Sequence, residues 1–166
     1  MKVGILSDSH DHRDAAEGAL LLFRAEGVEM VFHLGDVCSP AVLAGYDDPA
    51  ILLRGVFGNN DSDRVGLQEA TGGAFRQGPR IETVDGRKIL LAHSYDQLRG
   101  ELTGKGRFDL VLFGHTHRPL TMHVGKALVV NPGELCGLMR GRRTCAIVDL
   151  VTMKPRIVEI PLPRSG

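Results

Sequence analysis

Apolar and polar segments alternate along the first third of the chain as they do in strands joined by helices. The opening run KVGILSD is apolar and ends in the carboxylate of Asp8, which predicts a buried first strand. Apolar residues then recur at helical spacing, at Ala16, Leu20 and Phe23. They predict an amphipathic helix, with Asp11 as its candidate N-cap and Gly27 placed to end it.

Two further apolar runs predict the second and third strands, and each leads directly into polar residues. They are MVFHL at Met30–Leu34 and ILLRGVF at Ile51–Phe57. Beyond them the chain consists mostly of predicted strands. Asp85-Gly86 lies between two of these strands and favours a type I′ hairpin, and Gly125-Lys126 predicts a second hairpin.

Between the hairpins the pattern predicts a short helix over Tyr95–Leu102 and a strand at Asp109–Phe113, and TCAIVDL and RIVEI form a last antiparallel pair. A strand-and-helix first third followed mostly by strands predicts a mixed α/β (α+β) fold, a two-sheet β-sandwich flanked by helices. No repeat, low-complexity tract or change in composition marks a linker. We therefore expect residues 1–166 to form a single domain whose last residues, LPRSG, fray.

Composition gives little indication of a charged partner. The 20 basic and 20 acidic residues cancel, and no basic tract predicts binding to nucleic acid or to anionic lipid. The longest basic cluster, RGRR at Arg140–Arg143, is interpreted as a solvated turn between two strands rather than a phosphate-binding patch. Nothing approaches the ~20 apolar residues of a membrane span.

The cysteines favour a reducing compartment. They are odd in number and lack CxxC spacing, so we interpret each as a small buried apolar residue and expect a cytoplasmic location. They are Cys38, Cys136 and Cys145.

Side chains that can bind metals cluster just after the predicted strands. They are Asp8 and His10 after the first strand, Asp36 after the second, Asn59 after the third, His93 at the end of a hairpin strand, and His115 and His117 after the next strand. Ligands bind beyond the carboxyl ends of strands in open α/β sheets, so these residues are expected to meet in space. Each alone is compatible with a turn or a helix cap, but turn chemistry does not explain the set.

The donors in this set are imidazole nitrogens and carboxylate or amide oxygens, without a thiolate. That excludes a cysteine-rich zinc site and suits Mn²⁺, Fe²⁺, Ni²⁺, Zn²⁺ or Co²⁺. Seven ligands are too many for one tetrahedral ion, and they fit two ions that share a bridging carboxylate. Of the remaining histidines, we expect His33 to be a satisfied core residue, His123 to be solvated, and His12 to cap a helix near the site.

The motifs SDSH, GD, GNND, AHS and GHTH occur in the order of the calcineurin-like metallophosphoesterase superfamily, which the chain resembles from Asp8 to the NPGE at Asn131–Glu134. The size and the GNND and NPGE variants resemble its small single-domain prokaryotic phosphodiesterases. A more distant resemblance connects the chain to the retromer subunit Vps29. The resemblance implies a four-layer fold, with two sheets between flanking helices.

The resemblance also implies a ligand assignment and an activity. A first ion would be bound by Asp8, His10 and His117, a second by Asn59, His93 and His115, and both by Asp36. The implied activity is hydrolysis of small phosphodiesters by attack of a metal-bridging hydroxide. Mn²⁺ is the favoured metal, with Ni²⁺, Co²⁺, Fe²⁺, Zn²⁺ and Mg²⁺ as alternatives.

One position departs from the pattern of larger superfamily members. Their GNH motif has a histidine where this chain has Asn60, and an amide cannot deliver a proton at neutral pH. We therefore expect good leaving groups, or proton delivery by His12, Asp61 or water, and we favour Asp61 as an anchor of its loop. The predicted catalytic residues are Asp36, Asn59, Asn60 and His12.

Other functions remain open from the sequence. A Vps29-like protein-binding scaffold with residual metal binding is the main alternative, and a phosphomonoesterase, a nuclease or a metal-binding regulator are others. The complete set of competent ligands favours the enzyme. The sequence also leaves open whether the chain forms a homodimer.

Overall fold

The computed structural model describes residues 1–104 and 107–161, so the predicted fraying of LPRSG at 162–166 lies outside the described residues. The strands are β1 (Lys2–Leu6), β2 (Met30–His33), β3 (Leu52–Val56), β4 (Phe75–Arg76), β5 (Arg80–Val84), β6 (Arg87–Leu91), β7 (Leu110–Leu112), β8 (Pro119–Val124), β9 (Ala127–Pro132), β10 (Arg143–Asp149) and β11 (Lys154–Ile160). The helices are α1 (Arg13–Ala25), α2 (Arg64–Ala70) and α3 (Tyr95–Thr103), with a 3₁₀ turn at Pro40–Leu43.

The strands form two sheets, each with a parallel centre. The first sheet has the order β11-β10-β1-β2-β3-β4, in which β1 to β4 run parallel and β10 and β11 are antiparallel. The second has the order β5-β6-β7-β9-β8, in which β6, β7 and β9 run parallel and the edge strands β5 and β8 are antiparallel. The loops that follow parallel strands can therefore meet at one end of each sheet.

Apolar side chains fill three spaces between the layers. The inner faces of the two sheets enclose a core that includes Ile5, Phe32, Leu91, Leu112 and Val130. The helix α1 covers the outer face of the first sheet through Ala16, Leu20 and Phe23. The helix α3 covers part of the outer face of the second sheet through Leu98. The predicted mixed α/β fold, a β-sandwich flanked by helices in four layers, is confirmed.

The predicted hairpin at Asp85-Gly86 and the predicted end of α1 are confirmed, but the predicted N-cap of α1 is wrong. Asp85 and Gly86 both have positive φ, 50° and 73°, as a type I′ hairpin requires. The helix α1 ends just before Gly27, as predicted, but its N-cap is His12 and not Asp11. Asp11 has φ 61° and donates its backbone N–H to the carbonyl of Val37, so it belongs to the preceding loop.

Two predicted histidine environments are confirmed. His33 is fully buried, where the backbone N–H of Gly35 donates to its Nδ1 at 3.2 Å and Ser9 Oγ lies 3.0 Å from its Nε2. His123 lies on β8, whose residues are all exposed. Among the described helices, none is long and apolar enough to cross a bilayer.

Two predictions of side-chain exposure are wrong in part, one for the RGRR cluster and one for the cysteines. In RGRR, Arg140 and Arg142 are exposed as expected, but Arg143 begins β10 and is buried, because it donates to Asp14 at 2.6 Å. Cys38 is only half-buried, and its Sγ lies 3.6 Å from Nδ1 of His10. Cys136 and Cys145 are buried as predicted.

Candidate metal centre

The seven predicted ligands come together at one end of the sandwich. They follow five parallel strands, namely β1, β2 and β3 of the first sheet and β6 and β7 of the second. Two groups of side chains have donor atoms that lie within 4.8 Å of one another, Asp8 with His10 and His117, and Asp8 with Asp36 and His93. Asn59 and His115 adjoin His93. The strand-end pattern in the sequence therefore identified a set of neighbours.

The backbone at these residues is unusual. Five of the seven have left-handed φ values between 40° and 65°, at Asp8, His10, Asp36, His115 and His117. A left-handed conformation at a residue other than glycine costs about 1–3 kcal/mol and persists only where the surroundings impose it. Here each loop turns sharply after its strand, which directs successive side chains into the centre.

The first group is arranged around a buried carboxylate. Asp8 is fully buried, and its Oδ2 accepts hydrogen bonds from Ser7 Oγ at 2.5 Å and from the backbone N–H of His115 at 3.0 Å. Its Oδ1 lies 3.4 Å from Nε2 of His117 and 3.9 Å from Nε2 of His10, and it has no hydrogen-bond partner among the described residues. Burial raises the pKa of Asp8 above its ordinary value.

The second group is arranged around His93. Its Nδ1 donates to the carbonyl of Leu34 at 2.7 Å, because a carbonyl can only accept. Its Nε2 faces Asn59 Oδ1 at 2.9 Å and His115 Nδ1 at 3.2 Å. In the neutral ring with its proton on Nδ1, Nε2 carries a lone pair, and a cation could be bound by this nitrogen and the amide oxygen together.

Asp36 connects the two groups, because its carboxylate lies close to a histidine of each. Its Oδ2 is 3.6 Å from Nε2 of His10 and 3.5 Å from Nε2 of His93. Asn60 orients this carboxylate, because its backbone N–H donates to Oδ1 and its side-chain amide donates to Oδ2, both at 2.8 Å. Burial raises the pKa of Asp36, but these hydrogen bonds outweigh it and hold the pKa below its ordinary value. The Asn60 amide is thus engaged with the carboxylate.

Asp61 anchors the surrounding loops, as expected. It is 2% exposed and accepts four backbone N–H groups at 2.7–2.9 Å, from Asp36, Val37, Cys38 and Gly58. Gly58 must be glycine at this point, since a Cβ there would lie 2.1 Å from Asp36 Oδ1.

His12 is outside both groups of converging donors. It occupies the N-cap position of α1 without a side-chain cap hydrogen bond, and its Nδ1 lies 3.5 Å from a guanidinium nitrogen of Arg143. Of the predicted catalytic residues, the structure therefore brings together Asp36, Asn59 and Asn60, and it places His12 against Arg143.

Sequence reasoning did not select Glu134, which the structure places behind His117. Its Oε2 lies 2.7 Å from Nδ1 of His117, and its side chain is fully buried. Burial raises the pKa of Glu134, but hydrogen bonds from the Arg140 backbone and from His117 lower it below its ordinary value. Glu134 follows β9, the next parallel strand, so the rule that found the other residues also applies to the NPGE motif.

The residues fit divalent metal ions on several observations. Asp8 Oδ1 is buried without a partner among the described residues, and two atoms that can bind a metal, His93 Nε2 and Asn59 Oδ1, face each other at 2.9 Å. The donors are nitrogens and oxygens of borderline to hard character, which suits first-row divalent ions. The carboxylate of Asp36 lies within reach of both groups, as a shared ligand requires.

Comparison with known proteins agrees with the motifs. Residues 1–153 match the model of the calcineurin-like phosphoesterase superfamily domain. A phosphodiesterase of Methanocaldococcus jannaschii is 35% identical over 167 residues, which cover 98% of this chain and 99% of that protein. A solved structure of an archaeal phosphodiesterase, 31% identical, superposes with a TM-score of 0.85 over 96% of this chain and 99% of the other.

The predicted distant resemblance to Vps29 is also confirmed. A single-site variant of Vps29 from Entamoeba histolytica superposes with a TM-score of 0.65 over 97% of this chain and all of the other, at 20% identity, which shows a common fold. The family model and the archaeal relative together show more than the fold. The chain belongs to the calcineurin-like phosphoesterase superfamily.

Proposed function

We propose that the protein is a metal-dependent phosphodiesterase that hydrolyses small phosphodiesters at this centre. The observation that supports it best is the position of Asp36, whose Oδ2 lies 3.5 and 3.6 Å from one histidine of each group. The relative from M. jannaschii is a phosphodiesterase and spans nearly the same length. A shared carboxylate between two sets of nitrogen and oxygen donors is the arrangement of two-metal hydrolytic sites.

Each side chain has an assigned position in this proposal. The first ion would be held by Asp8, His10 and His117, the second by Asn59, His93 and His115, and Asp36 would be shared. When bound, two divalent cations lower the pKa of a water between them and neutralise charge on the phosphate. Mn²⁺ is the proposed metal, with Ni²⁺, Co²⁺, Fe²⁺, Zn²⁺ and Mg²⁺ as alternatives.

The chain's own groups orient the centre and supply the leaving group's proton. Asn60 holds both oxygens of Asp36, so the shared ligand keeps one orientation. A neutral imidazole is too weak an acid for this step, so His12 would act as the imidazolium, with its Nδ1 4.0 Å from Asp14 Oδ1 and 3.5 Å from a guanidinium nitrogen of Arg143. We propose His12 as the proton donor, in the place of the histidine that Asn60 replaces.

The complete set of donors favours hydrolysis over a scaffold role of the kind that Vps29 suggests. A neutral chain has little attraction for a long nucleic-acid backbone, so we propose small diesters as substrates. Three free cysteines fit a reducing compartment, and we propose the cytoplasm. A measurement of the molecular mass in solution would show whether the chain forms a homodimer.

The test is a metal-reconstituted assay of the chelator-stripped protein. It compares bis-p-nitrophenyl phosphate with p-nitrophenyl phosphate in the presence of Mn²⁺, Ni²⁺, Co²⁺, Zn²⁺ or Mg²⁺. We expect hydrolysis of the diester, and loss of most activity in Asp36→Ala. The matched control Asp149→Ala changes a turn acceptor at the far end of β1 and β10 and should remain active. No hydrolysis with any ion would refute the enzyme, and hydrolysis of the monoester alone would refute the diesterase.

A further inference from the structure

The two groups of ligands differ in what lies behind their histidines. We propose that Glu134 is a positioning residue for His117 and makes the metal position of Asp8, His10 and His117 the tighter of the two. This inference rests on the proposed function, because it assumes that both positions bind metal.

The contact with Glu134 fixes which nitrogen of His117 faces the centre. Nδ1 of His117 lies 2.7 Å from Oε2 of Glu134, and an ionised carboxylate can only accept a hydrogen bond. A proton therefore lies on Nδ1, and in the neutral ring Nε2 presents its lone pair to the metal position, 3.4 Å from Asp8 Oδ1. A carboxylate behind a ligating histidine holds the ring in place and makes the imidazole a stronger donor.

Glu134 is itself held rigidly. Its carboxylate accepts the backbone N–H of Met139 at 3.0 Å and that of Arg140 at 2.5 Å, and its side chain is fully buried. The neighbouring backbone is tied to the first ligand loop, because the N–H of Cys136 donates to the carbonyl of Asp8 at 3.1 Å. Glu134 thus has a fixed position relative to both Asp8 and His117.

The metal position of Asn59, His93 and His115 has no carboxylate behind its histidines among the described contacts. The Nδ1 of His93 donates to the neutral carbonyl of Leu34, and His115 directs its own Nδ1 toward His93. Asn59 is a neutral amide, so Asp36 is the sole acidic ligand in the proposed second set. The first set contains Asp8 in addition to Asp36, and it has Glu134 behind it. Greater negative charge and a fixed ring both favour the first position for a divalent cation.

Glu134 does not form a third metal position with its neighbours. Glu134, His117 and Cys136 have donor atoms within 4.8 Å of one another. However, the carboxylate already accepts two backbone N–H groups and faces the proton on His117 Nδ1 at hydrogen-bond distance. The thiol of Cys136 also donates to Glu134 Oε2, at 3.7 Å between sulfur and oxygen. These contacts indicate that Glu134 orients His117 through a hydrogen bond and does not bind a metal itself.

The first test measures Mn²⁺ binding to chelator-stripped protein by isothermal titration calorimetry. We expect two ions per chain with separate affinities. Glu134→Gln should weaken the tighter event by roughly 10–100-fold and leave the weaker one unchanged. The control Leu138→Ala changes an exposed side chain of the same loop and keeps the contact between Glu134 and His117, so it should retain both affinities.

The outcomes separate this inference from the proposed function. No Mn²⁺ uptake by the wild-type chain would refute the metal centre itself. Two bound ions with unchanged affinities in Glu134→Gln would refute only the role of Glu134. Equal weakening of both events, or the same weakening in Leu138→Ala, would show a general disturbance of the loop and would also overturn the inference.

A second measurement uses the wild-type protein and does not depend on the folding of a variant. Long-range ¹H–¹⁵N spectra of the metal-free chain report which nitrogen of each neutral histidine carries the proton. We expect the proton of His117 on Nδ1. A proton on Nε2 of His117 would overturn the inference whatever the variants do.

Discussion

Replacing Asp61 with alanine would remove the acceptor of four backbone N–H groups at once. These groups lie 2.7–2.9 Å from the carboxylate and belong to the loops that carry Asp36 and Asn59. A buried donor left without a partner costs about 1–3 kcal/mol, and water admitted to the space offsets part of that loss. Four such donors lead us to expect Asp61→Ala to lower the free energy of unfolding by roughly 3–5 kcal/mol.

The assay is urea unfolding of the chelator-stripped chain, followed by circular dichroism, so that metal loss does not contribute. Asp63→Ala is the matched control, because Asp63 caps α2 at an exposed position and accepts one backbone N–H, from Gly66, at 2.9 Å. Loss of that cap should cost about 1 kcal/mol. The transition midpoint of Asp61→Ala should fall well below that of Asp63→Ala with a similar slope. A loss in Asp61→Ala no larger than in the control would refute the anchoring role.

Further predictions concern packing and pH, and both use urea unfolding of the metal-free chain. Gly114→Ala should destabilise by about 1–3 kcal/mol, because the new Cβ would lie 1.9 Å from Ser7 Oγ. The new Cβ of Gly100→Ala on α3 would meet nothing within 4 Å, so this variant should unfold with a free energy about 0.5–1 kcal/mol higher than the wild type. A Gly114→Ala chain more stable than the Gly100→Ala chain would contradict the packing. Burial lowers the pKa of His33 to about 4, below its unfolded value of 6.5. The unfolded chain binds this proton first as pH falls, so about 3 kcal/mol of stability should disappear between pH 6.5 and pH 4. His33→Gln should reduce this dependence of the free energy of unfolding on pH. An unchanged dependence would show that other groups cause it.

The sequence predicted the fold class and a set of neighbouring donor side chains because both depend on a regular feature. Apolar runs mark the strands, and the polar residue after each run marks the edge where parallel strands end. Asp8, Asp36 and His93 were found in this way, and they lie together in the structure. Glu134 follows the same rule after β9 but was not selected, because its role depends on a contact with His117.

Roles that depend on the orientation of a side chain, or on its contact with a distant residue, could not be predicted from the sequence. Asn60 was predicted as a catalytic residue, but its contact with Asp36, 24 residues away in the chain, could not be read from the sequence. Arg143 was placed in a solvated turn, but it is buried by an ion pair with Asp14, 129 residues away. The helix α2 was not predicted because only Leu67 among its seven residues is buried, so its apolar periodicity is weak.

The most direct test of the metal centre is anomalous diffraction from crystals of the chain grown with Mn²⁺. We predict two peaks, one bound by Asp8, His10 and His117 and one by Asn59, His93 and His115, with Asp36 bound to both. His115 and His117 would then serve different ions, although they are two residues apart. A single peak, or both of these histidines on one ion, would contradict the proposed two-metal centre.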